Sequence, residues 1–305
     1  MRTNATILSK AGFSRRLARG PLLWLLPLLL VLFCFYLYPV IDVVRYSFTD
    51  AKMTSNEYVY TFRSYINVFT SQAFYQSLWR TFIFVSISVV FQFLLGFAIA
   101  YAVDHGERRK AKGTLVTRTI ALVSWAIPGV VIGVIWKIML EESPSGIFNY
   151  GLSLFGVSMV DFLSNPGHAI ISVSVANVWR GTAQSMILLY AGLKTVSWDV
   201  IEAGFIDGAN MWGRLWHIIL PSMRSVITVN ILLNIINTFN TFDMVMSLTG
   251  GGPGRSTEVL VLGVYNRIFS MYNLGQGSAM AVILLFINII MSLFYIRLAA
   301  RGEKK

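Results

Sequence analysis

Residues 197–221 read SWDVIEAGFIDGANMWGRLWHIILP, a polar, helix-forming stretch in a chain otherwise built from long apolar runs. Ser197 stands where an N-cap belongs, its hydroxyl able to accept from a free first-turn amide, and Asp199 and Glu202 suit the positive end of a helix. Asp207-Gly208 is a turn signal, and Gly208 takes positive φ at low cost, so one short helix ends there. A second begins near Asn210 and runs amphipathically through Trp212, Leu215, Trp216 and Ile219 to Pro221. The pattern predicts two short helices set at an angle, a knob that another protein can grip.

On either side of this knob lie apolar runs of about 20 residues, long enough to cross a hydrocarbon layer of about 30 Å as helices. The 305 residues are 55% hydrophobic with mean hydropathy +0.64, so the fold class is an all-α polytopic membrane protein. The net charge of +11 raises the question of nucleic acid, but Lys and Arg sit in short clusters flanking the apolar runs. Membrane topology explains that distribution and nucleic-acid binding does not. The single cysteine, Cys34, lies inside an apolar run, which excludes an internal disulfide and speaks against a metal site. Leu22 to Tyr38 is too long for a signal peptide and lacks a small-residue cleavage site, so it reads as a retained first span.

Loop charges then order the chain. Arg2, Lys10, Arg15, Arg16 and Arg19 place a tail of residues 1–20 in the cytoplasm, and 21–44 forms the first span. Residues 45–78, aromatic and of mixed charge, suit an outer interfacial segment. The second span, 79–103, carries Gly96 and Ala100 one turn apart, and the basic loop 104–118 belongs inside. The third, 119–140, contains Pro128 and a Gly129-x-x-x-Gly133 pair, predicting a kinked helix packed closely on a neighbour in this chain or another. Residues 141–167 carry Glu141, Glu142 and Asp161 without Lys or Arg, as an outer loop should. Spans four to six fall at 168–193, 222–248 and 278–298, and the tail 299–305, with Arg301, Lys304 and Lys305, returns to the cytoplasm. Six transmembrane helices with both termini cytoplasmic satisfy every loop.

Glu202-Ala203-Gly204, then Asp207-Gly208-Ala209, then Ile218 and Leu220-Pro221 resemble the EAA signature of ATP-binding-cassette (ABC) importer permeases: Glu-Ala-Ala, a Gly four positions on, then Ile-x-Leu-Pro. Gly204, where that family has Ala, is a departure that loosens the helix by about 0.5–1 kcal/mol. A second set of residues resembles the maltose and glycerol-3-phosphate subfamily of carbohydrate importers. It comprises Phe242-Asp243, Leu248-Thr249-Gly250-Gly251-Gly252-Pro253 and Thr257, with Ser64-Tyr65, the Ser77 to Thr81 run and Ala191-Gly192-Leu193 earlier. The resemblance covers the chain from about Tyr38 onward and implies a type I ABC importer permease fold in a bacterial inner membrane. It implies that 197–221 is the coupling loop gripped by an ATPase. The partners it implies are two ATP-binding subunits, a second permease (a heterodimer as the usual arrangement), an extracytoplasmic solute-binding protein and a sugar.

Candidate residues follow from the cost of polar groups in lipid. Asn230, Asn234, Asn237 and Asn240 fall within about 120° of one helix face at 100° per residue. Such a stripe suits either a path for sugar hydroxyls or interhelical hydrogen bonding. Asn288 is a lesser candidate. Arg180, in mid-span, must face a cavity, a partner subunit or Asp243. Gly250, Gly251, Gly252 and Pro253 form either a contact for the solute-binding protein or a simple tight turn. No Gly-Lys-Ser/Thr phosphate loop occurs, so this chain holds no cofactor of its own, and ATP with Mg belongs to the partner ATPase. His105, His168 and His217 lack metal-site spacing, and no nucleophile–base pair stands out, so the chain reads as a transport subunit and not an enzyme. The competing reading, an ion-coupled secondary transporter, needs intramembrane carboxylates and repeated halves; only Asp243 qualifies, and no repeat is evident. A membrane scaffold that moves no solute is the third class.

Overall fold

Every apolar run forms helix in the computed structural model of the chain, which describes residues 21–302, with side chains from 24 to 297. The basic tail 1–20, the Arg301 side chain, Lys304 and Lys305 lie outside the described residues. Helix α1 (Pro21–Leu32) passes through a π-helical turn (Phe33–Leu37) into α2 (Tyr38–Ser47). After an irregular segment (48–62) come α3 (Arg63–Thr70), α4 (Gln72–Arg108), α5 (Thr114–Ala126), α6 (Gly129–Met139), α7 (Ile147–Ser153) and α8 (Pro166–Thr195). The knob holds α9 (Trp198–Ile206), α10 (Met211–Arg214), a π-helical turn (Leu215–Ile219) and α11 (Leu220–Ser222). Then follow α12 (Arg224–Phe239), α13 (Asp243–Leu248), α14 (Leu260–Tyr265) and α15 (Leu274–Gly302).

Trp24–Ser47, Gln72–Arg108 and Leu274–Arg297 are each long and apolar enough to cross a membrane. Counting the two bent pairs, Thr114–Ala126 with Gly129–Met139 and Met211–Ser222 with Arg224–Phe239, raises the number to five. Helix α8 has the length, 30 residues, but buries Ser172, Ser174, Asn177, Thr182 and Ser185. Its polarity is turned inward.

Packing relies on small residues, as expected where lipid removes the hydrophobic drive between helices. A Cβ on Gly96 of α4 would lie 2.5 Å from Ser185 Cβ of α8, so these two backbones run in close contact. Phe84, Ile132, Met244, Leu260 and Met280 belong to a large buried cluster; Ala100, Met186, Leu189, Leu193, Ile219 and Met223 form a second beside the knob.

Two spans depart from the sequence expectation. Residues 119–140 are not one kinked helix: α5 and α6 meet at 102°. Pro128 offers no N–H and pushes Ile127 into extended backbone (φ −79°, ψ 130°), so the helix stops and restarts at Gly129. Residues 222–248 are likewise interrupted. Helix α12 ends at Phe239: Asn240 N–H still bonds to Ile236 O (3.2 Å), Thr241 N–H drops back to Thr238 O (3.1 Å), and Asn240 Nδ2 and Thr241 Oγ1 add bonds to Ile236 O (2.7 Å) and Asn237 O (2.9 Å). The two restarted half-helices, α6 and α13, pack on each other. Gly133 lies against Ser247 and the Met244 carbonyl, and Gly129 against the Asp243 carboxylate. The neighbour of the Gly-x-x-x-Gly pair is therefore in this chain.

Candidate functional site

The end of α5 and the interruption after α12 border one cavity of about 600 Å³, within the ordinary size of a small-molecule site. Non-helical backbone at membrane depth is tolerated where it is buried in protein or lines such a space. Helix α4 contributes Gln92, α5 Trp125, and α8 Asn177, Arg180 and Gln184. Helix α12 and the interruption after it contribute Asn234, Asn237, Thr238, Asn240, Phe242 and Asp243.

Arg180 pairs with Asp243, Nη1 to Oδ1 at 3.2 Å, with both side chains about one-third exposed to the cavity. Of the three surroundings considered for Arg180, two coincide here. Among the described residues these are the charged side chains of the wall, so its formal charges cancel. The asparagine stripe divides. Asn237 donates to Gln184 Oε1 (2.9 Å) and, with Asn240, is exposed to the cavity. Asn234 also lines it but commits its amide to Ser185 Oγ (2.7 Å) and Asn230 Oδ1 (3.3 Å). Asn230 is fully buried behind it, off the cavity wall, and Asn288 donates to Leu284 O within α15, also off the wall. Sequence reasoning missed Gln92, Asn177, Gln184 and Trp125. The first three are polar groups inside apolar runs, the same signal that picked out the stripe.

At one end of α8 the knob is ordered and anchored. Ser197 occupies the N-cap position of α9, but its side chain makes no capping bond. Asn210 does cap α10, accepting from Gly213 N at 2.7 Å. Gly208 has φ +78°, which a residue with a side chain adopts only at a cost, and the turn it makes sets α9 against α10. Gly204 is buried, with the Ile218 side chain where a Cβ would stand, so the departure from Ala coincides with a tight helix–helix contact. Arg214 donates to Ala209 O (2.6 Å) across the turn, and Glu202 accepts from Trp198 Nε1 (2.5 Å). The Arg108 guanidinium lies over the Trp198 ring at 4.8 Å and pairs with buried Asp104 (2.6 Å). Lys194 bridges Asp104 and Glu107, each at 2.9 Å. The first turn of α9 is thus tied to the ends of α4 and α8. Its outer surface is bare: Phe205, Ile206, Trp212 and Trp216 are 70%, 83%, 66% and 62% exposed.

The glycine-rich segment at the other end is equally fixed. Thr257 Oγ1 meets Thr249 Oγ1 (2.7 Å) and donates to Gly252 O (2.8 Å), while Gly252 N donates to Thr249 O (3.0 Å). Buried Glu258 accepts from Arg255 and Asn266, and Ser77 and Thr81 of α4 bond to Glu258 and Leu260 N. Ser64 donates to Thr49 O and Tyr65 to Ser47 Oγ, fastening α3 to the end of α2. Several motif residues noted in the sequence are therefore clasps between segments.

Similarity to known proteins agrees with this geometry. Residues 92–303 match the family described as binding-protein-dependent transport system inner membrane component. A trehalose/maltose transport system permease protein of Thermococcus litoralis is 34% identical over 279 residues, 90% of this chain and 92% of the relative. An sn-glycerol-3-phosphate transport system permease protein of Rhizobium meliloti is 34% identical over 217 residues, 70% of this chain and 73% of the relative. In fold, the chain is similar to one from a crystal structure of a bacterial alginate ABC transporter in complex with an alginate pentasaccharide-bound periplasmic protein. That likeness has a TM-score of 0.77 at 20% identity and covers 94% of this chain and 96% of that one. A family match over most of the chain, a relative 34% identical over 90% of it and the shared helical fold lead to one assignment: this protein belongs to the inner membrane components of binding-protein-dependent transport systems, the permease subunits of ABC importers.

Proposed function

We propose that the chain is the membrane-spanning permease of an ATP-driven, binding-protein-dependent sugar importer, with the 600 Å³ cavity on the sugar's path and residues 197–221 as the point where work enters. In this reading six spans cross a bacterial inner membrane, both termini and the knob facing the cytoplasm. Helix α8, about 45 Å long at 1.5 Å per residue, supplies the span that hydropathy alone does not mark, because its polar side turns into the cavity. The chain carries no ATPase site of its own, and ATP and Mg act on separate subunits.

The observation that carries the proposal is the knob: an ordered two-helix element, braced from behind by Arg108 and Lys194, with four large apolar side chains bare on its surface. Bare aromatic anchors on a rigid support are what an obligate partner buries. Two ATP-binding subunits, one on this knob and one on that of a second permease, closing together on ATP would push α8 and α12 and open the cavity to the other side. A solute-binding protein docking outside at Gly250 to Pro253 would deliver the sugar; Glu202, Ala203, Asp207, Leu220 and Pro221 shape the knob. An ion-coupled mechanism is disfavoured, because Asp243, the carboxylate in the cavity, is engaged by Arg180.

The test is Phe205→Ala with Ile206→Ser, both largely exposed beside the turn of the knob, Phe205 lying under the Arg214 guanidinium at 5.2 Å. Losing two central apolar anchors at about 2 kcal/mol each weakens ATPase association by about 10²–10³-fold. Co-purification of the ATPase and ATP-dependent uptake should both fall while the permease still elutes as one species. Unchanged co-purification would sink the coupling assignment.

A further inference from the structure

Resting on the sugar-path reading above, we infer that the cavity is built for a neutral, polyhydroxylated ligand and against an anionic one, with Asp243 and the cavity amides setting that choice. Arg180 alone looks like an anion site. Its Nη1, however, already donates to Asp243 Oδ1 (3.2 Å), and a phosphate or carboxylate beside that guanidinium would also sit beside the Asp243 carboxylate. The amides point the same way. Gln92 spends its NH₂ on Asn177 O (2.9 Å) and Asn240 on Ile236 O (2.7 Å). A backbone carbonyl only accepts, so the exposed Asn240 turns its nitrogen to the protein and leaves its side-chain oxygen to the cavity, whereas Gln92 is buried against Gly181. Exposed Asn237 spends its NH₂ on Gln184 Oε1 (2.9 Å), which leaves an oxygen on Asn237 and an NH₂ on Gln184.

The accessible wall therefore mixes acceptors on Asn237, Asn240 and Asp243 with donors on Gln184 and Arg180. A sugar hydroxyl both donates and accepts along such a wall; an ionised phosphate or carboxylate has no proton to give and is repelled by the Asp243 carboxylate. The remaining guanidinium N–H groups and Asp243 Oδ2 can each serve a hydroxyl, which both donates and accepts. Trp125 and Phe242 add aromatic surface suited to the C–H faces of a sugar ring.

The experiment is equilibrium dialysis on the purified importer, this chain with its partner subunits and without the solute-binding protein. The probes are radiolabelled trehalose and maltose and, against each, its 6-phosphate, matched pairs that differ by one phosphate. In the unaltered protein the phosphate esters should bind at least about 10-fold more weakly, a ratio worth one decade in Kd. Asp243→Asn uncovers Arg180 and should erase that preference or reverse it. Arg180→Gln combined with Asp243→Asn, charge-neutral again, should restore it. Size-exclusion elution and subunit co-purification report assembly, and if the single variant does not assemble, the unaltered protein and the double variant still decide. Phosphate esters binding as tightly as the neutral sugars in the unaltered protein would overturn the inference and leave the path reading standing. A ratio unmoved by Asp243→Asn would also overturn it. Absence of binding by all four probes would overturn the cavity as the sugar's path, and this inference with it.

Discussion

Gly133→Ala tests whether α6 and α13 are fastened through glycine. A Cβ at this position would lie 2.0 Å from Ser247 Oγ, 2.8 Å from the Met244 carbonyl oxygen and 3.0 Å from Ser247 Cβ. The hydroxyl can rotate away, at the expense of its bonds to Asp243 O (2.9 Å) and Met244 O (3.1 Å), a loss of about 0.5–1.5 kcal/mol. The carbonyl cannot rotate. To reach an unstrained separation of about 3.5 Å, α13 must retreat by about 0.7 Å, and such overpacking costs about 1–3 kcal/mol. Alanine's better helix propensity returns about 0.5–1 kcal/mol. The balance is a destabilisation of about 0.5–4 kcal/mol. Because Asp243 is the first residue of α13, the same retreat stretches its 3.2 Å pairing with Arg180, so sugar binding should weaken together with stability. Thermal unfolding of the purified protein in detergent and dialysis with maltose measure the two effects. Gly151→Ala in α7 is the control: nothing lies within 4 Å of its Cβ, so only the propensity gain of up to about 1 kcal/mol remains. If Gly133→Ala melts at or above the unaltered protein while Gly151→Ala behaves as expected, the α6–α13 contact is not as described.

Asn210→Ala removes the cap of α10 and should loosen the knob by about 1 kcal/mol, seen as faster hydrogen exchange at Gly213, with Asn210→Asp retaining protection. Gly204→Ala restores the residue the resembled signature has. Its Cβ would displace Ile218 Cδ1, the free end of a flexible chain, so the rotamer cost of about 0.5–1.5 kcal/mol and the propensity gain nearly cancel, and ATPase association should be unchanged. Glu142, in the segment after α6, gives a pH dependence. Burial pushes its carboxyl up, but bonds from the Ser164 hydroxyl and from Ser164 and Leu163 N–H outweigh it and hold the group below its ordinary value. A depressed folded-state value means the contribution is complete above the unfolded value of about 4.3 and is lost as pH falls below it. The melting-temperature gap between the unaltered protein and Glu142→Gln should therefore be present at neutral pH and close under acid conditions.

The sequence and the structure agree best where the signal is local. Apolar length marks α4 and α15 without help from tertiary structure, and Asp207-Gly208 and Asn210 mark the elbow of the knob through backbone chemistry that acts over three or four residues. The two interruptions were harder to read. Pro128 was visible, but a proline in an apolar run is compatible with a kink or a break, and the choice rests on α13 being there to receive the restarted half-helix. The break after Phe239 was hidden because Asn240 and Thr241 look like continued members of the polar stripe. Their side chains bond back to the carbonyls of Ile236 and Asn237, as those of Ser174 and Thr182 do to earlier carbonyls inside α8, so residue type alone does not mark the end of the helix. Of the stripe, Asn234, Asn237 and Asn240 line the cavity and Asn230 does not. The pairing of Arg180 with Asp243 joins positions 63 residues apart, so residue type suggested it and the fold supplied it.

The knob and the cavity are two ends of the same pair of helices. Helix α8 ends at Thr195, directly before the knob, and carries Arg180 fifteen residues back, a lever of about 22 Å at 1.5 Å per residue. Helix α12 begins at Arg224, directly after the knob, and carries Asn237 at a similar distance. Met223, between α11 and α12, is fully buried and sits where the backbone turns through 76°, so a push on the knob is delivered to both helices at a packed joint. A tilt of about 10° at that joint moves Arg180 by about 4 Å, more than the 3.2 Å that now separates it from Asp243. Asp243 belongs to α13, which is packed on α6 through Gly129 and Gly133 and joined to α12 by residues 240–242, so its own shift is set by both. On the coupling proposed for the knob, a tilt would open the charged pair to the extent that α6 holds α13 back. The two glycines of that contact would then set how far the cavity responds to where the knob stands.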